Sequence, residues 1–300
     1  MWSKDHQPVL DIDPGDRVTF QVNEVTSSQL TPRSSTADVS KLDVSKFYPL
    51  SGPVRIKGAR PGDALTVDVL SVLPANWGWS AIVPGLGALD EFNDPFLWTW
   101  KVGKKEWVPF KNGLRVRQRP FCGVMGVAPP EDGLTEPMPP GKHGGNMDVR
   151  HLTSGSRLLL PIWVDGGLFS VGDVHAAQGD GEVCVTAIEC PGQVSFRFNL
   201  IKGLGLELPH YFTAQETCAG RNYVTTGISP DLMEACKLAI RGMITELTKH
   251  AGLTKEEAYV FCSVAGDLRI HEIVDKPNWV VGLMISQGSL GPAWSRLGKS

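Results

Sequence analysis

The stretch Pro191-Gly192-Gln193-Val194-Ser195-Phe196-Arg197-Phe198-Asn199-Leu200 decides the architecture. Val194, Phe196, Phe198 and Leu200 alternate with Ser195, Arg197 and Asn199, so the apolar side chains share one face of an extended chain. That is the pattern of a half-buried antiparallel strand. The turn before it has its own chemistry. Proline presets φ at the first turn position, and glycine accepts a positive φ at the second. The device recurs upstream: Pro14-Gly15-Asp16 precedes Val18, Phe20 and Val22, and Pro61-Gly62-Asp63 precedes Leu65, Val67 and Val69. With 33 glycines and 22 prolines in 300 residues, turns are plentiful and a β-rich fold is favoured over a helical one. The expected fold is mainly β, with antiparallel sheets in a sandwich-like body and a smaller C-terminal α+β portion.

That C-terminal portion is marked by one long helix. Ser229 suits its N-cap, Pro230 its first position, and Asp231 the positive end of its dipole. Leu232, Cys236, Ala239, Met243 and Leu247 recur at helical spacing, and Gly252 ends the run after Lys249 and His250. A second helix starts at the capping box Thr254-Lys255-Glu256-Glu257, and Trp279 to Ile285 reads as a strand. The division expected is a β-rich body over 1–205 and an α+β portion over 206–300. Within the body, 90–145 holds Trp98, Trp100, Trp107 and the proline-rich run Pro129 to Pro140. It reads as a long inserted loop that serves as a lid or an interface.

Totals exclude several classes. Net charge is −3 with a sequence pI of 6.2, and no cluster of Lys and Arg marks a nucleic-acid face. The longest apolar run, Leu158 to Val164, contains Pro161 and is too short for a bilayer. Cys122, Cys184, Cys190, Cys218, Cys236 and Cys262 form no Cys-x-x-Cys pair, as expected of reduced thiols. The first residues carry no apolar leader-like stretch. A cytoplasmic location is expected.

Chemistry-bearing residues concentrate between His143 and Glu189. His143-Gly144-Gly145-Asn146-Met147-Asp148 comes first, followed by Gly172-Asp173-Val174-His175-Ala176-Ala177-Gln178-Gly179-Asp180-Gly181-Glu182. A histidine with carboxylates in glycine-rich segments at strand ends can hold Zn²⁺ or a harder cation such as Ca²⁺. The same groups can activate water as general bases without a metal. Gly-Asp-Gly and Gly-Asp-x-His are also ordinary turn sequences, so spacing alone leaves an elaborate loop open. Cys184 and Cys190 read as core filler rather than nucleophiles. No Gly-x-Ser-x-Gly elbow is present.

These strings, with Leu168-Phe169-Ser170-Val171 before them and Thr186-Ala187-Ile188-Glu189 after, resemble the signature of the acetamidase/formamidase family. The likeness extends to Leu50-Ser51-Gly52-Pro53, Pro61-Gly62-Asp63 and Ala265-Gly266-Asp267-Leu268-Arg269-Ile270, nearly the whole chain. The resemblance implies a mainly β fold, a homodimer or higher homo-oligomer, and hydrolysis of short amides such as formamide and acetamide with a divalent cation, zinc or calcium. On that reading His175, Asp148 and Asp173 are the metal candidates. Glu182 or Glu189 is the base, Asn146 or the Gly144-Gly145 amides meet the oxyanion, and His143 is a further catalytic candidate. The expected partner is a small amide, not nucleic acid or a membrane. Two positions depart from the family pattern. Val174 stands where a small residue is usual, and the first strand runs into Glu24, whose carboxylate would need to reach the site. Three alternatives are a hydrolase of a larger amide, carbamate or urea-like substrate, a non-catalytic metal-binding β protein, and a covalent amidase using Cys184 or Cys190.

Overall fold

A computed structural model describes residues 1–215, 220–291 and 294 of the chain; Cys218 lies outside the described residues. Among the described residues two eight-stranded sheets and one two-stranded ribbon make the body. One sheet runs in the order Gly266–Glu272, Trp279–Ser286, Asn222–Ser229, His210–Phe212, Arg157–Pro161, Ala64–Pro74, Gly192–Ile201 and Arg17–Val22, antiparallel throughout. The diagnostic strand behaves as its alternation requires. Val194, Phe196 and Phe198 are wholly buried, while Ser195, Arg197 and Asn199 are half-buried on the other face.

The second sheet carries the chemistry. The Phe169–His175 strand pairs along one edge with Phe121–Gly126, and along the other with Ser51–Ile56 and then Glu189–Cys190. Gly144–Asn146 continues outward from Phe121–Gly126, and Gly78–Ile82 from Glu189–Cys190. The sheets face each other through a common apolar core. Phe169 from the second sheet meets Phe196 and Phe198 from the first, at ring-centroid distances of 5.7 and 5.0 Å and near-perpendicular planes. Such edge-to-face pairs contribute about 0.5–1.5 kcal/mol each beyond the area they bury.

The segment 90–145 is more structured than its sequence implied. It contributes strands Phe96–Trp100, Trp107–Pro109, Arg115–Arg117 and Phe121–Gly126. The last of these is buried at every residue, so it lies in the middle of the site sheet and shows no alternation. The two expected portions also share one sheet: the four strands after position 205 form one half of it, the four before it form the other, and His210–Phe212 pairs with Arg157–Pro161 at the junction.

The long helix spans Leu232–Ala251 and lays Ala235, Ala239, Met243 and Leu247 on the first sheet. Its N-cap is Asp231, not Ser229: the Asp231 carboxylate accepts from Glu234 N at 2.7 Å. Ser229 is held as the last residue of a strand by pairing with Trp279. Gly252 closes the helix at φ 69°, and Thr254 with Glu257 forms the expected capping box on Lys255–Ala265. Among the described residues no helix is long and apolar enough to cross a membrane.

Candidate active site

His175 ends its strand with Glu189 directly opposite on one side and Phe121 on the other. Cross-strand neighbours of this kind stand about 5 Å apart, which brings the imidazole and carboxylate together by register alone. His175 Nε2 lies 3.0 Å from Glu189 Oε2 and 3.2 Å from Asp173 Oδ1. Its Nδ1 lies 2.9 Å from Gln178 Oε1. The Gln178 amide nitrogen donates to the Asp148 backbone carbonyl at 2.8 Å, so its oxygen must face the ring and accept from Nδ1–H. That contact assigns the tautomer. It leaves the Nε2 lone pair aimed at two carboxylates, an arrangement that is repulsive unless a positive species lies between them.

A second group of carboxylates flanks the first. Asp148, in a loop whose backbone N–H donates to Gly123 O, places Oδ1 3.6 Å from His175 Nδ1. Asp148, His175 and Glu182 offer ligand atoms within 4.8 Å of one another, as do Asp173, His175 and Glu189. After burial, the charge of Asp148 holds up the carboxyl of Asp275 in the turn after Gly266–Glu272, and Glu272 accepts from Val274 N and Asp275 N. Three of these acidic residues hold left-handed backbone: Asp148 at φ 46°, Asp173 at 56° and Glu182 at 44°. Strain of this type costs about 1–3 kcal/mol per residue and collects at functional sites.

Burial sets the protonation of the group. It raises Asp148 to about 6, with neighbouring Asp173 adding to the rise. Burial also lifts Glu189 and Glu272 to about 8, and holds Glu182 and Asp275 well above the usual carboxylate range. For His175 burial pulls downward, but Asp173 and Glu189 outweigh it and hold the ring well above its ordinary value. Without a cation, a proton at Nε2 takes its place.

Three observations test whether a metal suits these residues. Asp148 Oδ1, Asp173 Oδ1, His175 Nε2 and Glu189 Oε2 are buried with no hydrogen-bond partner. The donor set is one imidazole nitrogen and several carboxylate oxygens, which divalent cations accept. Gly123 forms the floor: a Cβ there would overlap Asp148 Oδ1 and come within 2.9 Å of Asp173 Oδ2. The residues fit a bound cation.

Of the residues singled out in the sequence, His175, Asp148, Asp173, Glu182 and Glu189 come together. Asn146 is fully buried one strand beyond Phe121–Gly126, and both side-chain amide atoms lack a partner. His143 is not brought in. Its ring packs edge-on to Trp2 at 5.2 Å, and burial lowers it to about 4. Glu24 is also elsewhere, anchoring a turn by accepting from Thr26 Oγ1 at 2.7 Å, Trp79 Nε1 at 3.0 Å and Ser28 N. Val174 belongs to the core between the sheets. Cys190 is buried and its thiol is raised by burial, while Cys184 is exposed and bonded only within its own loop.

The structure adds residues that sequence patterns did not single out. Gln178 fixes His175, and Asp275 and Glu272 extend the acidic group; their i, i+3 spacing after a strand was the available signal. Tyr48 is half-buried on the wall of a cavity of about 380 Å³. Burial, and then the charges of Asp275, Asp173, Asp148 and Glu182, hold its phenol well above its ordinary value. No local pattern marks Tyr48.

Comparison with known proteins agrees with this fold. The model of the Acetamidase/Formamidase family matches residues 1–137 and 134–288. An acetamidase of Mycolicibacterium smegmatis is 29% identical over 69% of this chain and 66% of its own length. A formamidase of Methylophilus methylotrophus is 27% identical over 95% of this chain and 87% of its own. The crystal structure of an acetamidase from Bacillus halodurans superposes with a TM-score of 0.88 at 31% identity, covering 99% of this chain and 96% of that one. With a family model spanning almost its whole length and a structural relative over 30% identical, the chain belongs to the acetamidase/formamidase family of amide hydrolases.

Proposed function

We propose that the protein hydrolyses short aliphatic amides, formamide and acetamide among them, to ammonia and the carboxylic acid at the His175 cluster. The observation that carries this reading is the His175 Nε2 lone pair facing Asp173 and Glu189, with all three atoms buried and unpartnered. Asp173, His175 and Glu189 would hold the cation, a set of one nitrogen and two oxygens that suits zinc. Asp148 and Glu182 offer an oxygen-rich neighbour better matched to calcium. A divalent ion bound there supplies a Lewis acid for the amide carbonyl and lowers the pKa of water towards ~7.

The chain's own groups do the rest. Gln178 keeps the imidazole in one tautomer and orientation. Glu182, whose burial favours holding a proton, takes one from water and returns it to the departing nitrogen. The Asn146 amide and the neutral Tyr48 phenol are the donors for the tetrahedral oxyanion. His143 has no part in this scheme.

The test is ammonia release from formamide, acetamide, propionamide and urea, before and after chelation and metal add-back. Turnover of a small amide that is lost on chelation and restored by one ion is the expected result. Folded, metal-loaded protein that releases no ammonia from any of them would refute the reading. A larger substrate is favoured by one observation: Trp98, Trp100 and Phe110 line a cavity of about 520 Å³ that also reaches Gln178. Preference for bulkier amides over acetamide in the same assay would select that reading.

The buried acids also make metal-free protein pH-sensitive. Glu189 and Glu272 hold protons to about 8 when folded, against a reference value of 4.5. The unfolded chain therefore releases these protons first as pH rises, and folding stability falls until the folded groups ionise. His143, lowered to about 4, and His210 and His271, lowered to about 3, oppose this only below their ordinary value of 6.5. From about pH 6.5 to 8 the two carboxyls therefore dominate, opposed only by the N-terminal amine, which burial lowers from 8.0. Stability of chelated protein should fall across it by at most about 1.4 kcal/mol per pH unit per group, seen as a drop in Tm, and a divalent cation should reverse the drop. A flat or rising Tm in the chelated protein would count against this protonation scheme.

We further infer a homodimer or higher oligomer. Tyr259, Val260 and Val264 are exposed on one helix, and Leu268 and Ile270 on the neighbouring edge strand. Exposed apolar side chains on a helix and its neighbouring edge strand are candidates for cover by a second copy. A cytoplasmic location is supported by free thiols at all five described cysteines.

A further inference from the structure

His175, Glu189 and Asp173 are buried, so an amide must reach them through space that the fold leaves open. Two cavities lie beside the cluster, and the pleat of the sheet distinguishes them. Phe121, His175, Glu189 and Trp79 are direct partners across four neighbouring strands. Direct partners project from the same face of a sheet, so the Trp79 indole stands beside the Glu189 carboxylate. Ser80 and Ile82 alternate with Trp79 and take the opposite face, where Ser80 pairs with Trp98 and Ile82 with Phe96. Those four line the cavity of about 520 Å³, whereas Trp79 and Tyr48 line the one of about 380 Å³. The smaller cavity therefore shares a face with the proposed cation ligands.

Its inner wall is apolar. Val25, Trp79, Val83 and Val185 line it, and the first three are buried. The Glu24 carboxylate fixes two of its sides at once. It accepts from Trp79 Nε1 at 3.0 Å and from Thr26 N at 3.0 Å, and the turn so tied carries Val25. The Val25 carbonyl in turn accepts from Tyr48 N at 2.8 Å. The wall also touches the cluster. Val185 N donates to the Glu182 carbonyl at 2.8 Å, so a wall residue and a cluster carboxylate belong to one turn. Tyr48 reaches the same acids: burial, and then the charges of Asp275, Asp173, Asp148 and Glu182, act on its phenol. Tyr48 and Val185 hold left-handed backbone, at φ 56° and 70°, which is rare for any β-branched residue. Such strain persists where the surroundings impose it, and it collects where ligands bind. At the far end Val44 and Ser45 are exposed, which opens the cavity to solvent.

We propose that this cavity receives the acyl group of the substrate, and that the preferred amides carry an apolar acyl chain of about four to six carbons. The proposal rests on the amidase reading of the cluster and names its substrate class. With the carboxyl carbon at the His175 cluster, the chain runs past Glu189 and lies against Trp79. Size supports a chain longer than acetyl. At about 30 Å³ per water the cavity holds roughly a dozen, so acetamide would leave most of it to solvent. Water facing Val25, Trp79, Val83 and Val185 finds few hydrogen bonds, and each methylene that displaces it adds affinity.

The test is calorimetric titration of the purified, metal-loaded protein with sodium acetate, butyrate and hexanoate, the acids that hydrolysis of the matching amides releases. Kd is expected to fall about fourfold per added methylene, the effect of moving one CH₂ out of water. Val83→Phe and Leu86→Trp fill the cavity from different sides, and each is expected to cut the gain from acetate to hexanoate at least about tenfold. Binding by the parent protein that changes less than about twofold from acetate to hexanoate overturns the proposal, and that arm needs no variant to fold. So does a chain-length dependence that both substitutions leave intact, or one that Trp98→Ala abolishes and they do not. Because the readout is heat without any amide present, flat binding defeats the acyl pocket alone, and absence of ammonia release defeats the hydrolytic reading.

Discussion

Replacing His175 by glutamine is expected to strip the metal and lower ammonia release by on the order of a thousandfold or more. Among the described residues His175 is the sole nitrogen donor common to both carboxylate groups, with Asp173 and Glu189 on Nε2 and Asp148 near Nδ1. A glutamine keeps polarity and approximate size, but its neutral amide oxygen is a weaker metal donor than an imidazole nitrogen and cannot carry a positive charge. Its neighbours would also lose the positive partner that tolerates their burial, and their remaining relief is protonation. Gln178→Leu provides the comparison. It leaves every ligand atom in place and removes only the hydrogen bond that fixes the ring, so its expected loss is about 10–100-fold, the usual effect of an outer partner. Metal content per chain, measured beside turnover, separates the two cases. If His175→Gln retains full metal and full turnover, the cluster is not the active site.

What sequence revealed and what it hid follow from burial. The Gly192–Ile201 strand was legible because one of its faces is solvated, so apolar and polar residues alternate. Phe121–Gly126 and Phe169–His175 are buried on both faces and lose that signature, so the first of them reads in sequence as part of a long loop. The helix start was displaced because Ser229 and Asp231 both suit an N-cap. Strand pairing to Trp279 occupies the first and leaves the second. For the site, the residues near His175 in sequence were visible as a density of polar groups among glycines. Register then places Glu189 opposite His175, a relation that follows only once the pairing of the two strands is known. Tyr48 precedes His175 by 127 positions and Asp275 follows it by 100, beyond both helices, and nothing local distinguishes them. His143 illustrates the converse. It belongs to a suggestive string, yet the chain turns its ring towards Trp2.

The largest stability effect is expected at Gly227, far from any chemistry. This residue lies in the Asn222–Ser229 strand, opposite Val281, where the long helix crosses the sheet. A Cβ at Gly227 would overlap the carbonyl oxygen of Ala235 and lie 2.7 Å from the backbone nitrogen of Ala239. Both obstacles are helix backbone, so no rotamer change can relieve them. The helix must lift, and lifting it unpacks Ala235, Ala239, Met243 and Leu247 from the apolar cluster they share with Tyr223, Val281 and Ile285. Overpacking in a core ordinarily costs about 1–3 kcal/mol, and here the clash is with main chain rather than a movable side chain, so Gly227→Ala is expected to cost about 3–5 kcal/mol. The neighbouring position Gly242 supplies the contrast. Its added Cβ would approach only the Thr225 side chain, at 3.3 Å, and alanine favours the helix in which it stands. Gly242→Ala should therefore change stability little, and urea unfolding of the two variants beside the parent protein measures the difference. Equal midpoints for Gly227→Ala and the parent would mean that the helix does not depend on that close approach to the sheet.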